Sequence, residues 1–137
     1  MRGAFVVIAI LLFASLAFAA SDRADGSWLK NVPQRDRVRA NPYTEKGEAV
    51  AAGALIYRRS CASCHGADAT GRGKRPSLHT TRVHDASDGE LFWLLTNGNM
   101  AHGMPSWSRL PEEQRWQLIR YLHSLPLDET RQVEQGH

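Results

Sequence analysis

Apolar positions along the chain fall into four zones. A continuous apolar run from Ala4 to Ala14, preceded by Arg2 and followed by the small-residue pattern Ala17-Phe18-Ala19, predicts a cleavable secretory signal peptide over residues 1–19. The run is shorter than the roughly 20 residues of a membrane span, so cleavage is favoured over an uncleaved anchor. Residues 20–44, with Trp28, Pro33, Pro42 and several arginines but no sustained period, read as an extended N-terminal arm. From Glu45 to Ser60 the spacing of Val50, Ala54 and Tyr57 by four and then three is helical. Residues 66–86, rich in Gly, Thr, Ser and Arg, read as an irregular loop.

A second helix is announced by the capping box Ser87-Asp88-Gly89-Glu90, runs through Leu91-Phe92-Trp93-Leu94-Leu95 and stops at Asn97-Gly98. A third has Pro111 at its first turn, with Glu112 and Glu113 near its positive end. Its apolar stripe is Leu118, Tyr121, Leu122 and Leu125. Pro126 ends it, and 127–137 reads as a flexible polar tail. No segment alternates as a strand would, so the predicted fold class is all-α.

Composition narrows the field. The 137 residues are 42% hydrophobic, and much of that sits in the leader, so the exported part is one small domain with a lean core. A large multi-domain enzyme, a transporter and a long repeat array are excluded. With only two cysteines, so is a disulfide scaffold. A thin-cored exported domain needs something else to fold around.

The cysteines say what. Cys61-Ala62-Ser63-Cys64-His65 is the C-x-x-C-H pattern of covalent c-type haem attachment. Two thiols about one helical turn apart can each add to a vinyl group of the macrocycle. The adjacent His65 is then carried to the iron as proximal axial ligand. Three other readings stand beside it. A disulfide between the pair is chemically possible in an exported chain. A thioredoxin-like redox pair expects a βαβ context, and no strand pattern precedes Cys61. A structural zinc site needs four ligands, and the motif supplies three.

The second axial ligand is sought between the second and third helices, in Gly98-Asn99-Met100-Ala101-His102-Gly103-Met104-Pro105-Ser106-Trp107. Met104 is preferred, because Pro105 forces it into an extended conformation from which its side chain can reach inward. A thioether on the iron raises the reduction potential, which suits an electron carrier. Met100 stands close behind the helix stop. His102 would give bis-histidine ligation. Both stay open as alternatives, as does plain core filling by either methionine. His79, His84, His123 and His137 are read as solvated. Gly66, Gly71 and Lys74 faintly suggest a phosphate loop, but Arg72 holds the lysine position and no strand leads in.

At these residues the sequence resembles the class I c-type cytochromes, over about 47–126. Cys61 and Cys64 match the thioether cysteines, His65 the proximal ligand and Met104 the distal one. Pro76, eleven residues after His65, matches the proline whose carbonyl accepts the imidazole Nδ1–H bond. Gly53 and Tyr57 match the family's glycine and aromatic on the first helix, and Leu118 and Tyr121 their partners on the last. The stretch from Leu91 to Leu125 is similar to bacterial periplasmic cytochromes with a Met-Pro-Ser-Trp segment, some of them associated with alcohol dehydrogenases or terminal oxidases.

The resemblance implies a compact cytochrome c fold over 45–126, its helices wrapped around one covalently bound haem c. It implies a periplasmic electron-transfer protein, not an enzyme, whose iron cycles between Fe(II) and Fe(III). Electrons would pass between a dehydrogenase and a terminal oxidase, or another redox protein such as a second cytochrome. The arm over 20–44 departs from the compact family core. The rival class is a haem sensor or enzyme with a labile distal ligand.

Charge bears on partners. Setting aside Arg2 takes the formal charge from +3 to +2, and two haem propionates would bring the holoprotein near zero. That balance does not signal nucleic acid despite a pI near 9.2, and no nucleic-acid partner is expected. Arg58, Arg59, Arg72, Lys74 and Arg75 bracket the motif and predict a locally positive haem side that could steer an acidic partner. No stable membrane span is expected after leader cleavage.

Overall fold

A computed structural model describes residues 26–128 of the chain. The leader assigned to 1–19 and the tail from 129 onward lie outside the described residues. Six α-helical segments follow in order: α1 Gln34–Arg37, α2 Glu48–Ser60, α3 Ala62–His65, α4 Thr81–Asp85, α5 Asp88–Asn97 and α6 Glu112–Ser124. Single 3-10 turns occupy Ser27–Asn31 and Met100–His102. Among the described residues there is no strand, only the isolated bridges Arg72–Arg75 and Asn99–Met104. No helix there is long and apolar enough to cross a membrane.

The core is built where α2 crosses α6. Gly53 makes the crossing possible, since a Cβ there would stand 2.1 Å from the Gln117 carbonyl oxygen. One turn on, the rings of Tyr57 and Tyr121 meet at 5.2 Å with a 47° tilt. Tyr57, Leu118 and Ile119 are fully buried. The apolar face of α5 adds Leu91, Phe92 and Leu95 to this core, with Phe92 stacked on Trp116 at 4.0 Å. α5 begins as its sequence dictates. Ser87 Oγ accepts from the Glu90 amide (3.1 Å), and Glu90 Oε2 accepts from the Ser87 amide (2.8 Å). It ends where the Gly98 amide donates to the Leu94 carbonyl at 2.7 Å.

Two sequence expectations need correction. Residues 26–44, expected as an extended arm, form a 3-10 turn, helix α1 and a further turn strapped across α5 and α6. Hydrophobic periodicity does not reveal this, because buried Val32 and the core-packed Trp28 and Tyr43 follow no regular spacing, and charged and polar groups complete the fastening. The Arg37 guanidinium donates to the carbonyls of Leu29 and Val32 and pairs with Glu90. Asn41 Nδ2 donates to the Trp116 carbonyl (2.9 Å). Arg39 lies over the rings of Phe92 and Trp116, at 4.3 and 5.1 Å.

The second correction concerns the loop over 66–86, which ends in the short helix α4. Val83 packs against the core and His84 Nε2 lies 2.5 Å from the Leu125 carbonyl oxygen, so tertiary contacts hold a segment too short to be periodic.

Candidate functional site

α2 ends at Cys61, whose amide donates to the Tyr57 carbonyl at 2.8 Å. The chain turns at once into α3. The amides of Cys64 and His65 both donate to the Cys61 carbonyl, at 3.1 and 2.9 Å. The two thiols therefore leave a single helical turn. They are not joined to each other in this structure. Cys61 is half-buried and Cys64 exposed. Burial, with the neighbouring Cys64 sulfur as a lesser cause, pushes the Cys61 thiol up to about 12. Among the described residues, no three His, Cys, Asp or Glu side chains gather as a metal-binding group.

His65 is held from behind. Its Nδ1 lies 3.0 Å from the Pro76 carbonyl oxygen. A carbonyl can only accept, so Nδ1 carries the hydrogen and Nε2 the lone pair. Burial lowers the imidazole's pKa. The Pro76 bond raises it and the Arg75 charge lowers it further, and the net direction is downward. The ring is thus the neutral, Nδ1–H tautomer, with Nε2 as its donor atom toward a metal.

Pro76 reaches this position because Gly71 is a glycine. At φ +90°, its Cβ would meet the Arg75 carbonyl oxygen at 2.6 Å and the Ser77 nitrogen at 2.8 Å. The Gly71 amide donates to the His65 carbonyl at 2.7 Å, and the Leu78 amide to that of Ala69 at 2.8 Å. The stretch from Gly66 to Leu78 is therefore folded back onto the motif. Tyr57 anchors its start through Oη, which donates to the Gly66 carbonyl (2.7 Å).

The loop between α5 and α6 carries the other candidates. The Asn99 amide donates to the Met104 carbonyl (2.8 Å) and the Met104 amide returns a bond to Asn99 (3.0 Å), closing a tight loop around Met100–His102. Beyond it the Trp107 amide donates to the Leu95 carbonyl (2.7 Å) and Ser106 Oγ to that of Thr96 (2.6 Å). Met104 is half-buried and packs against the core, as do Leu78, Trp107 and Leu110. Met100 is 71% exposed. His102 is exposed, with Nδ1 3.1 Å from Asn99 Oδ1.

Cys61, Cys64, His65 and Pro76 are thus brought into one site, and Met104 is the inward-packed methionine of the loop between α5 and α6. This donor set fits a haem: two thiols on one turn, a neutral imidazole with a fixed ring orientation, a thioether, and half-buried apolar side chains left beside the core.

The sequence reading missed Arg75 as anything but a surface charge. Its Nη1 donates to the carbonyls of both His102 and Gly103, at 3.1 Å each. The one clue in the sequence was its place directly before Pro76.

Comparisons with known proteins bear on the family, the fold and the cofactor. Residues 48–122 match the family model described as cytochrome c oxidase, cbb3-type, subunit III. The chain is 29% identical to cytochrome c550 of Pseudomonas aeruginosa over 145 aligned residues, covering 94% of this chain and 96% of that one. Among solved structures it is similar to cytochrome cL from the marine methylotrophic bacterium Methylophaga aminisulfidivorans MPT, with a TM-score of 0.55 and 25% identity. That match covers 64% of this chain and 59% of the other, so the chain spans less than two thirds of that structure's length. The family match takes in more than half of the chain, and the protein belongs to this c-type cytochrome family, with the all-α cytochrome c fold, covalently bound haem c and haem-based electron transfer.

Proposed function

We propose that the protein is a periplasmic electron carrier, not an enzyme, whose haem iron is held axially by His65 Nε2 and the Met104 sulfur. Cys61 and Cys64 are the thioether attachment points and Pro76 orients the proximal ring. The observation that carries this reading is the 3.0 Å contact between His65 Nδ1 and the Pro76 carbonyl. It fixes the tautomer, aims the other nitrogen and raises its basicity. The inward packing of Met104, against the exposure of Met100 and His102, supports the thioether as distal ligand.

When bound, the haem supplies a one-electron couple between Fe(II) and Fe(III). The chain's own residues set where that couple lies. A thioether and the apolar surroundings expected from Leu78, Trp93, Leu94 and Trp107 would disfavour the extra charge of ferric iron and raise the potential. With His65 and Met104 both holding the iron, no position on it would be left for a substrate.

Export follows from the leader over 1–19. The electron donor and acceptor are redox proteins, a dehydrogenase on one side and a terminal oxidase or second cytochrome on the other. Arg58, Arg59, Arg72 and Lys74 are exposed around the motif and favour an acidic face on the partner.

The test is a reduced pyridine haemochrome spectrum with the mass of the purified chain, followed by the oxidised absorption spectrum. One covalent haem, a mass without residues 1–19 and the weak far-red band of methionine–iron(III) coordination are expected. Absence of that band with rapid carbon monoxide binding would favour a gas- or peroxide-binding haem instead.

A further inference from the structure

We propose that Arg75 is a positioning residue that ties the segment holding His65 to the loop presenting Met104, and so governs how firmly the thioether is kept in place. The inference rests on the His65 and Met104 ligation proposed above.

Two small closed turns face one another. In the first, the amides and carbonyls of Arg72 and Arg75 bond reciprocally, at 3.2 and 2.9 Å. Pro76 follows immediately and carries the carbonyl that fixes His65. In the second, Asn99 and Met104 bond reciprocally, and the amides of His102 and Gly103 donate back to the carbonyls of Asn99 and Met100 at 2.9 Å each. Arg75 spans the cleft between them, lined by Lys74, Arg75, Ala101, His102 and Gly103. Its Nη1 donates to the two successive carbonyls that precede Met104, those of His102 and Gly103, at 3.1 Å each. Both bonds have a charged donor and belong to the stronger class.

Gly103 is shaped to receive this grip. It stands at φ +77°, and a Cβ on it would lie 2.6 Å from Arg75 Nη1. The loop has little else to hold its apex, because Met100, Ala101, His102 and Gly103 are all exposed. A segment with few apolar contacts and exposed backbone bonds opens locally at small cost. Removing a double tether from it therefore shows as local opening, while α2, α5 and α6 stay packed.

The experiment compares wild type, Arg75→Ala and Arg75→Lys as matured holoproteins. It reads amide hydrogen exchange at Met104, carbon monoxide binding by the ferrous form and the far-red band of the ferric form during alkaline titration. In Arg75→Ala the Met104 amide is expected to exchange about tenfold to a hundredfold faster. Carbon monoxide should bind faster by a similar factor, and the band should be lost at lower pH. Arg75→Lys, which keeps the charge and a donor, should restore part of the protection. Arg75→Gln carries the same comparison if the alanine variant does not accumulate.

A variant whose reduction potential falls while exchange, carbon monoxide binding and band titration stay at wild-type levels would reduce Arg75 to a distant charge and overturn the proposal. A wild-type protein without the far-red band overturns the ligation itself, and this inference falls with it. The two failures are thus distinguishable.

Discussion

Gly53 of α2 and Gln117 of α6 pass so closely that a methyl group on the glycine would stand 2.1 Å from the Gln117 carbonyl oxygen and 2.8 Å from the Tyr121 Cβ. Helix propensity alone favours Gly53→Ala by about 1 kcal/mol. Packing opposes it, since forcing a methyl into a filled crossing costs about 1–3 kcal/mol and sometimes more. Here the obstructing atoms belong to helix backbone and cannot swing aside as a side-chain tip would. The clash wins, and Gly53→Ala is expected to lose about 2 kcal/mol or more of stability. Guanidinium unfolding of the ferric holoprotein measures it. A variant as stable as the wild type would contradict the tight crossing.

Tyr57 separates packing from hydrogen bonding at the same crossing. Its hydroxyl donates to the Gly66 carbonyl, which also accepts from the Ala69 amide at 3.1 Å. That carbonyl keeps one partner in Tyr57→Phe, so the loss should sit near about 1 kcal/mol. Tyr57→Ala also empties a fully buried ring site against Tyr121 and should cost about 3–5 kcal/mol. Paired denaturation curves report the difference. Equal losses would mean that the hydroxyl, rather than the ring, dominates.

Met104 and Met100 make the ligand assignment testable by contrast. Met104 packs inward while Met100 is 71% exposed. Met104→Ala is expected to abolish the far-red band, lower the reduction potential and admit carbon monoxide quickly. Met100→Ala and His102→Ala should leave the band intact. Ferric absorption spectra of the three variants decide it, and the reverse pattern would transfer the ligation to Met100.

Whatever is written locally was legible in the sequence. The capping box at Ser87, the stop at Gly98, the stripe on α6 and the Cys61–His65 spacing each depend on residues within a turn or two of one another. The Pro76 contact was reached through family resemblance, because no local rule connects residues eleven apart across an irregular loop. What stayed hidden depends on polar side chains meeting distant backbone. Arg75 grips carbonyls 27 and 28 residues away, and Asn41 bonds Trp116 across 75. Hydrophobic period carries no trace of such contacts. Residues 26–44 therefore looked featureless, although they are folded.

That strap gives the last prediction. Gly89, in the first turn of α5, lies against the backbone of α1, so a Cβ there would stand 1.8 Å from the Asp36 carbonyl oxygen and 3.0 Å from the Arg39 amide nitrogen. Gly89→Ala cannot be accommodated without moving the strap off α5. Arg39 would then leave the faces of Phe92 and Trp116 and its 2.8 Å pairing with Glu112. Each of these exposed or half-exposed contacts is worth only about 1 kcal/mol or less, so the global fold should survive while the strap loosens. Trypsin should then cut after Arg35, Arg37 or Arg39 faster than in the wild type, with the haem spectrum unchanged. The strap lies against α5 and α6, whereas the Cys61–His65 turn sits at the end of α2. A shifted Soret band in Gly89→Ala would mean instead that the strap supports the haem site through α5, and the separation between the two would have to be abandoned.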